Sequence, residues 1–254
     1  TNEMDSGPSV VSRFNERPIV NRLPSALIDA LRETPEVRQR TAARLMTLVQ
    51  DHPDLLPDLL AHVNNLPEPA FIIGVTGPPG TGKSTLINSL IAEYRRRSDN
   101  SRIGIVAIDP ASQNHHGAVL GDRVRMMQHA TDENVFIRSL ASRSSLGGIT
   151  TGLMAVLAVH RLLGCSYIFV ETVGVGQNET DISRVVDHVA LILPPGQGDS
   201  VQLLKSGVME IADTIVINKS DEPSASEFRA SVLRHLHMAS SSGRPAIEAL
   251  LVSA

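Results

Sequence analysis

The sequence predicts an α/β chain, a mainly parallel, doubly wound sheet carrying a helical appendage on its N-terminal side. Three observations carry this reading. From residue 70 onward, short apolar runs alternate with stretches of helical period, the pattern of strands joined by covering helices. Before residue 70 the period is helical only. Between the first apolar run and the first long helical stretch lies Gly77-Pro78-Pro79-Gly80-Thr81-Gly82-Lys83-Ser84. This octet fits G-x-x-x-x-G-K-[ST], a glycine-rich loop whose N–H groups cradle phosphate. The expected fold is therefore that of a P-loop NTPase.

Residues 1–22 read as a loosely packed lead-in. Over 24–65, Leu27, Leu31, Val37, Ala42, Leu45, Leu48, Leu55, Leu59 and Val63 recur at helical spacing, with Pro35, Pro53 and Pro57 at expected helix starts. Their apolar faces must pack on the main domain or on a second copy of the chain. Pro67-Glu68-Pro69 joins this appendage, 1–69, to the P-loop domain, 70–254. Strands are expected near 71–76, 103–108, 135–138, 167–171, 188–193, 214–218 and 249–253. Helices are expected over 83–97, 121–130, 150–163, 200–211 and 224–237. In the helix over 83–97, Leu86, Leu90 and Ile91 are spaced to face the sheet, and the basic last turn suits the helix dipole. Ligand loops of such a sheet gather at the carboxyl ends of its strands.

Composition is that of an ordinary water-soluble domain, with 42% hydrophobic residues in 254 and a formal charge of −4. No basic excess points to nucleic acid or to an anionic membrane. No run reaches the roughly 18 apolar residues of a spanning helix. The first residues lack the regions of a signal peptide. The single Cys165 allows no internal disulfide and reads as core. The expected compartment is the cytoplasm, or the mitochondrial matrix for a processed eukaryotic form.

Two further strings complete a nucleotide site. Thr214-Ile215-Val216-Ile217 runs into Asn218-Lys219-Ser220-Asp221. A buried Asp221 carboxylate would accept from the ring N–H and the exocyclic amine of guanine, a donor pair that adenine lacks. Asn218 would tie the loop together and the Lys219 stem would lie over the base. Ser253-Ala254 reads as the short element whose backbone touches guanine O6. Tyr167-Ile168-Phe169-Val170 runs into Glu171-Thr172-Val173-Gly174, where Glu171 holds the end-of-strand acid position that orients Mg²⁺ and its waters. Lys83 would reach the β- and γ-phosphates and Ser84, followed by Thr85 in the same helix turn, would ligate Mg²⁺. Gly174 can offer a backbone N–H to the γ-phosphate, making 171–179 the expected switch. Asp109 is a second acid within reach of the metal. Asp122 is a third or, equally, a helix N-cap. Val175 stands where a water-orienting Gln follows the switch glycine in other GTPases, so hydrolysis by the chain alone is expected to be slow.

Over 71–221 the chain resembles the MeaB/ArgK/MMAA GTPases, metallochaperones that serve adenosylcobalamin-dependent methylmalonyl-CoA mutase. The resemblance rests on Ile108-Asp109-Pro110-Ala111-Ser112, on Leu120-Gly121-Asp122-Arg123-Val124-Arg125-Met126, and on Phe136-Ile137-Arg138-Ser139 with Ser145-Leu146-Gly147-Gly148. Glu171-Thr172-Val173-Gly174-Val175-Gly176-Gln177-Asn178-Glu179 and Pro195-Gly196-Gln197-Gly198-Asp199 extend it. The resemblance implies that Asp109, Asp122 and Glu171 form an acidic cluster around Mg²⁺ and the catalytic water. It implies that 195–202 with Lys205 relays nucleotide state to the mutase. It also implies a homodimer that gates cofactor loading and rescues inactivated mutase. Two departures stand out. His115-His116 replaces the family's small residues before Gly117 and reads as a solvated pair. Family members also continue past the position of Ala254 through a helix and a C-terminal arm.

Three rival readings share these motifs. A nickel-insertion GTPase would carry a Cys-and-His metal motif. A small-molecule kinase would use Asp122 as base but would gain nothing from a guanine-selecting loop. A pure binding switch would not turn GTP over.

Overall fold

The computed structural model describes residues 22–67, 69–97, 101–110, 129, 131–142, 148–172, 182–196, 207–239 and 247–254. Helices α1 (Ser25–Ala30), α2 (Pro35–Asp51) and α3 (Leu56–Asn64) form the N-terminal appendage. Then follow β1 (Phe71–Thr76), α4 (Lys83–Arg97), β2 (Arg102–Pro110), β3 (Val135–Ser142), α5 (Gly148–Leu162), β4 (Cys165–Thr172) and β5 (His188–Leu193). The last elements are β6 (Thr214–Ile217), α6 (Ala225–Ala239) and β7 (Glu248–Leu251). The strands form one sheet in the order β3-β2-β4-β1-β5-β6-β7, and each neighbouring pair is parallel. Strands covered on both faces need apolar residues at successive positions, which is why Phe71-Ile72-Ile73 and Tyr167-Ile168-Phe169-Val170 are legible as strands.

Side-chain alternation assigns each face its cover. Val75, Ile103, Ile105 and Phe169 meet Ile87 and Ile91 of α4. On the opposite face, Ile72, Val106, Ile168 and Val170 meet α5. Leu191, Ile215 and Ala249 meet Val232 of α6. The appendage packs on the main domain: α2 and α3 lie against α5, and Leu45, Val49, Leu59 and Val63 share one core with the sheet. Arg138 of β3 adds a polar tie, donating to Thr47 Oγ1 at 3.1 Å and Gln50 Oε1 at 3.0 Å of α2. Pro35, Pro53 and Pro57 all sit in the first positions of helical turns, where a missing N–H costs nothing.

Two expected inward residues face outward. Leu90 is 45% exposed, and the α4 stripe that meets the sheet is centred on Ile87 and Ile91. Leu90 lies on the flank of that stripe, past the contact. Val37 is exposed in the first turn of α2, while Ala42, Leu45, Met46 and Val49 are buried further along the helix. Of the expected helix over 121–130, all but residue 129 lies outside the described residues. Of the stretch expected helical over 200–211, the described part is a 3₁₀ turn, Gly207–Glu210.

His160 of α5 is fully buried against Gly104 of β2, where an added Cβ would come within 2.6 Å of the ring. Its nitrogens face Val156 O at 2.9 Å and Phe136 O at 3.2 Å. Burial outweighs these two carbonyls, and with the nearby Arg138 charge holds the ring down to about 4. The unfolded chain, with an ordinary imidazole, binds the extra proton between about pH 6.5 and 4. The neutral ring's contribution is therefore complete above about pH 6.5 and is lost as pH falls through that window. Urea titrations at pH 7.5 and 5 should show wild type losing roughly 2 kcal/mol more than His160→Gln. Equal losses would remove His160 as the cause.

Candidate nucleotide site

The P-loop runs from the carboxyl end of β1 into the N-terminus of α4, so the first N–H groups of a 15-residue helix point out of the loop. That end favours an anion through both the helix dipole and its unpaired donors. The loop's path depends on glycine. Gly82 has φ +87 and Gly77 φ +140; a Cβ on Gly82 would lie 2.4 Å from Asn218 Nδ2, and one on Gly77 2.1 Å from Ile192 O. Gly82→Ala should therefore reduce guanine-nucleotide affinity by at least about tenfold, since strain and overlap act together. Calorimetric titration with GDP would measure it, and wild-type affinity in the variant would remove the loop from the site.

Lys83 is only 5% exposed, and its ammonium donates to Gly77 O and Pro78 O, both at 2.9 Å. Thr81 is buried and its hydroxyl donates to Pro78 O at 3.0 Å. Pro79, Gly80 and Thr85 are exposed along the rim. Ser84 Oγ donates to Glu171 Oε1 at 2.6 Å, and Glu171 is 4% exposed at the end of β4. This donor set suits Mg²⁺. Both groups are hard oxygen donors, and Mg²⁺ takes one or two protein oxygens and completes its shell with phosphate and water.

The pieces expected to bind the base assemble beside the P-loop. Asn218 is buried; its Nδ2 donates to Thr81 O at 2.9 Å, and its Oδ1 accepts from Ala254 N at 3.3 Å. One amide thus joins the phosphate loop to the segment after β7. Lys219 holds φ +59, a left-handed turn that a non-glycine residue adopts rarely. Ser253 Oγ donates to Asp221 Oδ1 at 2.9 Å. Asp221, expected to be buried, is exposed, because it stands past the end of β6 at the rim of the sheet, where the loop itself offers no cover.

The backbone at Asp109 lies at the carboxyl end of β2, paired with Ala141 of β3; its side chain is outside the described residues. Asp122, Gly174, His115, His116 and Lys205 also lie outside them, as does 197–202 of the loop begun by Pro195 and Gly196. Sequence reasoning missed a buried pair beside Glu171: Thr172 Oγ1 donates to Thr76 Oγ1 at 3.0 Å. The signal was available, as each of two mainly apolar strand runs ends in Thr. Cys165 is core as expected, and burial pushes its thiol well above the ordinary range.

A family model described as "Methylmalonyl Co-A mutase-associated GTPase MeaB" matches residues 42–249. The chain belongs to the MeaB family. A putative GTPase of Pyrococcus abyssi is 48% identical over 200 residues, covering 78% of this chain and 61% of that protein. The GTPase ArgK of Escherichia coli is 34% identical over 221 residues, covering 84% of this chain and 64% of that protein. The chain thus spans about three fifths of the length of these relatives. Among solved structures, a LAO/AO transport system kinase superposes with a TM-score of 0.65 at 26% identity, covering 91% of this chain and 70% of that one. The MeaB match spans the P-loop, Glu171 and the Asn218–Asp221 loop within one continuous stretch.

Proposed function

We propose that this chain is the nucleotide-binding part of a MeaB-type switch. It binds GTP with Mg²⁺, hydrolyses it slowly alone, and reports nucleotide state to a cobalamin-dependent acyl-CoA mutase of the methylmalonyl-CoA type. Acting as a homodimer, it gates adenosylcobalamin loading and reactivates the mutase. The observation that supports the reading is the Asn218 bridge, which ties the Asn218–Asp221 segment to the P-loop, while Ser253 donates to Asp221.

In this reading the Lys83 ammonium exchanges the Gly77 and Pro78 carbonyls for β- and γ-phosphate oxygens. The α4 N-terminus supplies N–H donors, and Gly174 adds one at the γ-phosphate. Ser84 and Glu171 would hold Mg²⁺ and its waters, joined by Asp109 and Asp122. When bound, Mg²⁺ neutralises charge developing on the phosphate oxygens. Asp221 accepts the two guanine donors, the Lys219 stem covers the base, and the backbone of Ser253-Ala254 meets O6. The family match favours this over nickel insertion, and so does the burial of Cys165, which withholds the chain's one thiol from a metal.

The test is turnover of GTP and of ATP, with and without methylmalonyl-CoA mutase. GTP alone should be hydrolysed, and faster with the mutase. Glu171→Ala should cut Mg²⁺-dependent hydrolysis about 10–100-fold, the usual cost of removing a partner that orients a metal ligand. Its GDP affinity should stay near wild type. Unchanged hydrolysis would remove Glu171 from the site, and equal use of ATP would overturn the reading.

A further inference from the structure

On the α5 side of the sheet, β1 reads Ile72, Gly74, Thr76, and β4 reads Ile168, Val170, Thr172. Of these six positions only the last in each strand carries a hydroxyl, and Ser166, earlier in β4, is exposed. Both threonines are buried, at 4% and 3% exposure. Valine would fill the same space without a polar group to desolvate, so a paired hydroxyl there has a cost that its hydrogen bond must offset. The bond also sits at a particular place. The backbone register of β1 with β4 runs to Val75 opposite Glu171. The Thr172–Thr76 bond extends the tie one residue further, at the point where Gly77 turns the chain into the P-loop.

Glu171 is the neighbour of Thr172 on one side, and its carboxylate reaches across to Ser84 at 2.6 Å. Both residues open the stretch 171–179 that the sequence marks as the expected switch. We infer that the Thr172–Thr76 hydroxyl pair is a positioning latch: it fixes the end of β4 to the entry of the P-loop, so that Glu171 keeps its place on Ser84 whatever the following segment does. The inference rests on the proposed Mg²⁺–guanine nucleotide site. A glutamate side chain has three rotatable bonds, and its reach to a metal ligand is set by where its backbone is held.

The test follows release of fluorescent methylanthraniloyl-GDP as Mg²⁺ is titrated, a binding measurement independent of turnover. Thr172→Val should raise the Mg²⁺ concentration for half-maximal slowing of release by about three- to tenfold, the range expected for one buried hydroxyl bond. Its GDP affinity in EDTA should match wild type, and Thr172→Ser should restore the Mg²⁺ response. Thr76→Val removes the same Thr172–Thr76 bond, so adding Thr172→Val to it should produce no further shift. In nucleotide-free protein, urea titrations of the four forms should show the same non-additivity. A Thr172→Val titration matching wild type, a serine variant no better than valine, or shifts that multiply would overturn the latch while leaving the functional reading intact. A wild-type protein without Mg²⁺-dependent GDP binding would overturn both.

Discussion

Replacing Asp221 with Asn is expected to turn the site from guanine to xanthine nucleotides. The carboxylate can only accept, and guanine offers it two donors; an amide both donates and accepts, which matches the xanthine edge. Sites built around such bonds discriminate by up to about 10⁴–10⁵, so the variant should lose GDP affinity by several orders of magnitude and gain it for XDP. The geometry makes the exchange clean. Ser253 Oγ can donate to the amide oxygen as it does to the carboxylate at 2.9 Å. The loop itself is held by Asn218 and the left-handed Lys219, not by Asp221. Competition between labelled GDP, XDP and ADP reads the result. Wild-type protein that binds GDP and ADP alike would sink the assignment, as would a variant that still prefers GDP.

Lys83→Ala should weaken GTP binding by about 10²-fold or more, from the loss of charge-assisted bonds to two phosphates. Lys83 already stands where those phosphates would sit, since its stem is buried in the P-loop and its ammonium rests on two carbonyls 2.9 Å away. Lys83→Arg should not rescue, because a longer, planar guanidinium does not reproduce the compact three-donor ammonium that reaches the phosphates. Calorimetry with GTP and Mg²⁺ would measure both variants. Wild-type affinity in either would mean that the phosphates lie elsewhere.

The sheet was readable because parallel strands covered on both faces are continuous apolar runs; each of the seven described strands falls within a few residues of its expected place. Leu90 and Val37 depart from expectation for one reason. Helical spacing gives the phase of an apolar stripe but not how far the neighbour extends beneath it, and that extent belongs to the sheet and to α5. Asp221 was expected to be buried on chemical grounds, yet burial depends on what surrounds a loop rather than on its own residues.

Residue types within a few positions of backbone were enough to specify the P-loop, the Asn218–Asp221 loop and the acid at the end of β4. Local steric and hydrogen-bonding rules restrict which residue types such segments can carry. How they meet is a property of the folded chain alone. Ser84 and Glu171 are 87 residues apart, Thr76 and Thr172 96, and Thr81 and Asn218 137. No periodicity or motif encodes those meetings. They follow from the strand order, which sets β4 directly beside β1 and β6 on its other side with β5 between, and so brings the ends of β1, β4 and β6 around one phosphate loop.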